Sequence, residues 1–485
     1  MRQGRAIALV VVGCVLSAGL AAAPLAQAPR DRWLPASAQV PQSRTLSDRA
    51  LSGRALSGRA LSGQAVPDRA ASAGVAVHPQ IRSVGARRTA NPDVGYTPAQ
   101  VRAAYVVGPL LRAGIDGRRQ SIVVVDSFGS PTIRHDLAVF DRTFNLRPPP
   151  ALLIIHPAGR IPAYNSNNAE MVSWAGETTL DVEWAHAMAP AARIVLAETP
   201  VSENEGTSGF PQIVTAEKYA ISRRLGGVIS QSFTATEQTF PSERALRALR
   251  GAYLEAALPS HDVTVLGASG DEGATDFRSD GSLLYTHPVT SWPASDPLVT
   301  AVGGLDLRLD SLGRRTAPDR VWNDGGTSAG GGGKSVFFSR PRYQNGVAGI
   351  VGRHRGVPDI SMSASCNDPV ATYQSFHGGA LGWIGVCGTS EATPLLAGVI
   401  ALADQLAGHP LGAINADLYR LAAMKARGIV DVVHGTNTVS FGQNGGTFTV
   451  RGWAAVRGYD LSSGLGTIDA ALFVRELVAV AARHR

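Results

Sequence analysis

From Tyr96 onward, apolar runs of strand length alternate with amphipathic stretches, and this alternation limits the possible folds more than any other feature of the chain. Parallel neighbours need long crossovers, which helices supply, so the order implies a mostly parallel sheet with helices on both faces. Ser121-Ile122-Val123-Val124-Val125-Asp126 reads as a strand buried on both sides. So do Arg193-Ile194-Val195-Leu196-Ala197, Gly227-Val228-Ile229-Ser230-Gln231-Ser232 and Val263-Thr264-Val265-Leu266-Gly267-Ala268-Ser269. Helices are predicted over 177–189, 244–258 and 390–407. No linker-like stretch interrupts 93–485, which predicts one doubly wound α/β domain there.

The residues before it have another character. A basic start, Met1-Arg2-Gln3-Gly4-Arg5, leads into an apolar, alanine-rich run, the pattern of a secretory signal over 1–28. Cleavage would leave no stable membrane insertion, and the mature protein is expected outside the cell. Residues 29–92 carry a five-residue repeat, Arg49-Ala50-Leu51-Ser52-Gly53 and its copies through Gly63. A period of five fits neither helix nor strand, so this stretch reads as a flexible linker, or a tether to an acidic cell-surface polymer. The formal charge of +7 arises here: residues 1–92 hold 12 Arg against 3 Asp, leaving 33 basic and 35 acidic residues in 93–485. A near-neutral domain argues against nucleic-acid binding. With Cys14 inside the signal, Cys366 and Cys387 remain, and in an exported chain they point to a disulfide, two buried thiols being the alternative.

The strongest chemical signal is Gly388-Thr389-Ser390, followed by small residues and Pro394 at the start of an apolar helix. Unpaired N–H groups at a helix start acidify a serine hydroxyl, although a serine there can equally be a cap. A nucleophile needs a base, yet no histidine sits in a His-Gly-Thr segment, and His186, between Ala185 and Ala187, reads as structural. Gly176-Glu177-Thr178-Thr179-Leu180-Asp181 instead places two carboxylates one helical turn apart, where they can share a proton. A third acid, Asp271 in Ser269-Gly270-Asp271-Glu272-Gly273, follows a buried strand, at the end where open α/β sheets place their sites. Asp126, also at a strand end, would serve a histidine-dependent mechanism, and without a histidine it reads as structural. Gly330-Gly331-Gly332-Gly333-Lys334-Ser335 ends like a phosphate-binding loop, but Ser328 stands where that pattern requires glycine, so nucleotide binding is rejected.

Together these segments resemble the sedolisins, or serine-carboxyl peptidases, which have a subtilisin-like fold and use Glu and Asp in place of His. The Glu-x-x-x-Asp helix, the Ser-Gly-Asp loop and the Gly-Thr-Ser-x-x-x-Pro helix occur in that family's order. Trp292-Pro293-Ala294-Ser295-Asp296-Pro297 and Arg355-Gly356-Val357-Pro358-Asp359 are similar too. The resemblance implies Ser390 as nucleophile, Glu177 as general base, Asp181 as its partner and Asp271, protonated, as oxyanion donor. A carboxylate base with a pKa near ~4 and a donor that must stay neutral imply an acidic optimum. The resemblance also implies one Ca²⁺, held by Asp431, Asp460 and the carbonyls of Val432, Val456 and Gly458.

Departures matter as well. Ser232-Phe233-Thr234 stands where relatives carry Ser-Trp-Gly or Ser-Tyr-Gly against substrate main chain, so Thr234 is expected to reshape the cleft lined by Ser232. Val456 stands where glycine is usual. Residues 29–92 are too short and repetitive for the large folded pro-domain of such peptidases, and its lack is the expectation. The implied protein is a secreted, monomeric endopeptidase acting on proteins or peptides, with an inactive exported homologue as the rival.

Overall fold

Strand after strand in the computed structural model sends its side chains alternately to two helix layers. The structure describes residues 82–84, 93–203, 205–206 and 208–483. The chain divides into Met1–Ala70 and Ala71–Arg485. The first unit lies outside the described residues, as do the signal expected over 1–28 and nearly all of the linker expected over 29–92. The exception is Arg82–Val84, which pairs antiparallel with a strand of the domain. Its linker-like composition hides this, because edge pairing uses backbone groups that every non-proline residue carries.

The main sheet has eight strands. We label them β1 (Ser121–Ser127), β2 (Leu152–Ile155), β3 (Arg193–Thr199), β4 (Val228–Gln231), β5 (Thr264–Ala268), β6 (Thr300–Asp306), β7 (Arg320–Val321) and β8 (Ile360–Ser363). Their order is β7-β6-β5-β4-β1-β3-β2, with β8 also paired to β6. All pairs are parallel except β6 with β7.

Three helices position the site: α1 (Ala169–Met188), α2 (Phe210–Ser222) and α3 (Thr389–Ala407). Ile122, Val124, Ile194, Leu196, Val228 and Leu266 pack with Leu180 and Trp184 of α1 and Leu395 and Val399 of α3. The intervening Val123, Val125, Val195, Ile229 and Val265 pack on the other side with Phe210 and Ile213 of α2. The period of two thus gives both faces a core, and α1 and α3 share one of them.

Two predicted helices differ in extent. Helix α1 starts at Ala169, eight residues before the predicted start, because Asn168 caps it by accepting from the Glu170 and Met171 N–H groups. The segment 244–258 is two short helices, Glu243–Ala248 and Gly251–Ala256. Between them the Arg250 guanidinium donates to Asp296 at 2.9 Å, and Gly251 weakens helix continuity. The Arg355-Gly356-Val357-Pro358-Asp359 motif forms a fully buried ion pair, with Arg355 Nη1 2.7 Å from Asp359 Oδ1. Asp359 also accepts from the Ala301 N–H and the Tyr419 hydroxyl, so its remaining valence is satisfied inside the protein.

Candidate active site

The site begins with a helix contact. A Cβ at Gly398 of α3 would lie 2.4 Å from Met188 Cβ and 3.2 Å from the Ala185 carbonyl oxygen, so glycine lets α1 and α3 approach this closely. Ser390 is the second residue of α3, which opens directly after Gly388, whose φ of 121° suits glycine and few other residues. The disulfide Cys366–Cys387, with Cα atoms 5.0 Å apart, ties the strand before Gly388 to the turn after β8. That strand, Gly382–Cys387, pairs with Val370–Gln374 on one side and Arg82–Val84 on the other.

Ser390, Glu177 and Asp181 are fully buried, and Asp271 is 2 % exposed. The Ser390 hydroxyl donates to the Ser232 carbonyl at 3.3 Å. Both Glu177 oxygens lack a hydrogen bond, so the Ser390–Glu177 bond is not formed in this state, although the two groups lie close enough for the hydroxyl to favour the Glu177 carboxylate. Asp181 Oδ1 accepts from Ser232 Oγ at 2.9 Å. Burial pushes Glu177 well above the usual carboxyl range, with Asp181, Asp126 and Asp271 adding to the rise. Burial raises Asp181 likewise, and Asp126 is the next cause. The charges acting on this pair are carboxyls, so ionisation of either is disfavoured.

Asp271 sits just past β5. Its Oδ1 accepts from both the N–H and the hydroxyl of Thr389, each at 2.8 Å, which ties it to the residue before Ser390. The glycine run seats this loop. A Cβ at Gly331 would lie 2.2 Å from the Ser269 carbonyl oxygen, and Ser269 Oγ donates to the Gly331 carbonyl at 2.8 Å. The segment that mimics a phosphate-binding loop is therefore packing for Asp271.

From sequence Asp126 reads as structural, and Glu391 and Glu183 are not singled out. Asp126 belongs with the acids of α1: burial lifts it to about 7, opposed by the Thr178 hydroxyl and reinforced by Glu198, and both its oxygens lack hydrogen bonds. The signal was available, since Asp126 shares strand parity with Ile122 and Val124, which face α1 and α3. Glu391, next to Ser390, is fully buried and raised well above the usual range by burial, with Asp271 contributing. Glu183, also buried on α1, accepts from the Tyr373 N–H at 3.1 Å. His186 lies on α1 with Nε2 3.1 Å from Asp141 Oδ1, as part of the core.

Of the residues expected against substrate, Ser232 turns its hydroxyl to Asp181 and its carbonyl to Ser390. Thr234 is buried, and its hydroxyl makes no hydrogen bond. At the expected cation site, Gly458 N–H donates to Asp431 Oδ2 at 2.9 Å and Val456 N–H to Asp460 Oδ2 at 3.0 Å. Both carboxylates therefore meet one loop. Asp460 Oδ1 is taken up by the N–H and hydroxyl groups of Ser462 and Ser463, and Val432 is buried beside Asp431. Among the described residues no group of three or more His, Cys, Asp or Glu side chains could hold a metal, so any ion here would rely on carbonyls.

Comparison with known proteins gives a consistent picture. Kumamolisin of Bacillus sp. (strain MN-32) is 31% identical over 392 residues, 79% of this chain and 63% of its own length. Sedolisin of Pseudomonas sp. (strain 101) is 32% identical over 274 residues, 55% of this chain and 43% of its own. The tripeptidyl-peptidase sed4 of Aspergillus fumigatus is 29% identical, covering 69% of this chain and 59% of its own. The matches thus span less than two thirds of these relatives. The solved structure of Pseudomonas sedolisin, a serine-carboxyl proteinase complexed with pseudo-iodotyrostatin, superposes with a TM-score of 0.62 at 24% identity. It covers 80% of this chain and 98% of that one, which gives this chain the same subtilisin-like α/β fold. No family model matches.

Proposed function

We propose that this chain, which belongs to the sedolisin family, is a secreted serine-carboxyl endopeptidase acting on proteins or peptides as a monomer. The observation that carries the reading is the meeting of Glu177, Asp181 and Asp271 around Ser390 at the α1–α3 contact. Ser390 Oγ attacks the scissile carbonyl as Glu177 takes its proton, and Asp181 holds and tunes Glu177. Asp271, with Oδ1 engaged by Thr389, donates a proton-bearing Oδ2 to the oxyanion. Glu177 then protonates the leaving amine, and water, deprotonated by Glu177, hydrolyses the acyl-enzyme on Ser390.

Glu177 must be ionised to accept a proton, so activity rises with pH through the titration of the Glu177–Asp181 pair and falls as Asp271 ionises. The need for a neutral donor keeps the proposed optimum acidic, and burial, which raises the first titration, places it above the range of an ordinary carboxylate base. Among the described residues no helix is long and apolar enough to cross a membrane. One Ca²⁺ is proposed at Asp431, Asp460 and the carbonyls of Val432, Val456 and Gly458, as a brace for the loop rather than a catalytic group.

The test is digestion of a peptide library between about pH 3 and pH 7 by wild type and Ser390→Ala. Loss of cleavage in Ser390→Ala by at least about a thousand-fold is expected. Equal cleavage by both proteins would reject Ser390, and none by either would favour an inactive homologue, a rival to which the buried hydroxyl of Thr234 lends some weight.

A further inference from the structure

The end of the sheet remote from Ser390 carries its own concentration of charge. The C-terminal ends of β1, β4 and β5 lead to Asp126, Ser232 and Asp271. The N-terminal ends of β1, β3, β4 and β5 border a cavity of about 800 Å³, closed at one side by Gln405 and Gly408 at the end of α3. Arg118, Arg119, Arg193 and Arg224 line it, and Asp262 is the one carboxylate among its lining residues. A second cavity of about 650 Å³ shares Arg118, Arg119 and Arg193 and adds Arg147 and Asp116.

Five guanidinium groups thus border one continuous trench, in a domain whose basic and acidic residues nearly balance. Arginine is this chain's usual base, with lysine only at 218, 334 and 425, so it is the placement that informs. Among the described residues, Arg118 is the one of the five in an ion pair, with Asp116 at 3.1 Å. Arg193 Nε donates to Ser121 Oγ at 3.0 Å and Arg224 Nη2 to the Ser260 carbonyl at 3.2 Å. These bonds fix the two side chains without neutralising them. Arg119 and Arg224 also hold left-handed backbone, φ 65° and 53°, where glycine or asparagine would be less strained. The four arginines other than Arg118, collected with no ion pair among the described residues, create a positive potential that an anion relieves.

We propose that this trench binds a linear chain of phosphate groups. The guanidinium fork matches two oxygens of a phosphate, and a phosphate keeps in acid the charge that a carboxylate loses. A chain rather than a single ion follows from the three arginines common to both cavities, which bridge neighbouring anions. No Phe, Tyr or Trp lines either cavity, which removes the stacking platforms that single-stranded nucleic acid uses.

The test titrates the full chain into end-labelled linear polyphosphate, read by fluorescence anisotropy at several salt concentrations. The double variant Arg193→Gln/Arg224→Gln should weaken binding by about ten-fold or more and lower the slope of log K against log salt by about two. Arg147→Gln should do the same to a smaller degree, which guards against misfolding of the double variant. Melting temperature and peptide hydrolysis should be unchanged in both. Unaltered binding by the double variant overturns the proposal and places affinity in the arginines of residues 1–92. Absence of binding by wild type also overturns it, as does equally tight binding of poly-glutamate or single-stranded DNA.

Discussion

Asp126 ends β1 on the face that meets α1 and α3, and it carries more consequence than a strand-end acid would suggest. An ionised Asp126 opposes ionisation of both Glu177 and Asp181. Replacing it with Asn removes that opposition while keeping shape and polarity. The pair should then titrate at lower pH, because its ionised form is no longer repelled. Asp126→Asn is expected to move the acid limb of the pH–kcat/KM profile down by about half to one unit. A limb that stays in place would make Asp126 purely structural. Glu391 lacks this leverage on the Glu177–Asp181 pair, since among these acids it is Asp271 that acts on it.

At the scale of elements, the proposed catalysis would depend on how closely α1 and α3 pack. A methyl group at Gly398 collides with Met188 Cβ, a backbone-proximal atom that cannot swing away. Gly398→Ala should therefore cost about 1–3 kcal/mol in a denaturant titration, and lower kcat more than KM as Glu177 retreats from Ser390. Unchanged kcat with lowered stability would uncouple the packing from the chemistry. The loop that brings Gly458 to Asp431 makes a separate prediction. Chelation should lower the melting temperature by several degrees, and Asp431→Ala should be equally destabilised and indifferent to chelator. How much of this was legible follows from which physics is local. The four strands read from sequence are continuous apolar runs and the Glu177–Asp181 spacing is one helical turn, so sequence displays them directly. The closeness of α1 and α3 rests on Gly398, which looks like any helical glycine until the partner helix is in place. The split at Leu249–Arg250 depends on Asp296, which is remote in sequence, and the Arg82–Val84 pairing depends on backbone groups that composition cannot reveal.

At the scale of the whole molecule, the recurring feature among the described residues is the buried acid without a base. Burial raises Glu177, Asp181, Glu183, Glu203 and Glu391 well above the usual carboxyl range. It lifts Asp126 to about 7, Asp276 to about 6 and Glu217 to about 8. A raised folded-state pKa means that the native state binds more protons than the unfolded chain between the two values, so stability falls as pH rises through that interval. Below an unfolded carboxyl pKa of about 4 the contribution is fully present, and each group withdraws up to about 1.4 kcal/mol per pH unit above it. The lowered acids, Asp280 and Asp310, act in the opposite sense but lie at the surface, where solvent screens them, and carry little weight. Melting temperature at constant ionic strength should therefore be highest near pH 4 and decline steadily toward pH 8. A melting temperature that rises over this range would mean that these carboxyls find counter-cations absent from their surroundings here. The expected decline gives these acids a common cause, since burial favours the protonated form of each in the folded chain.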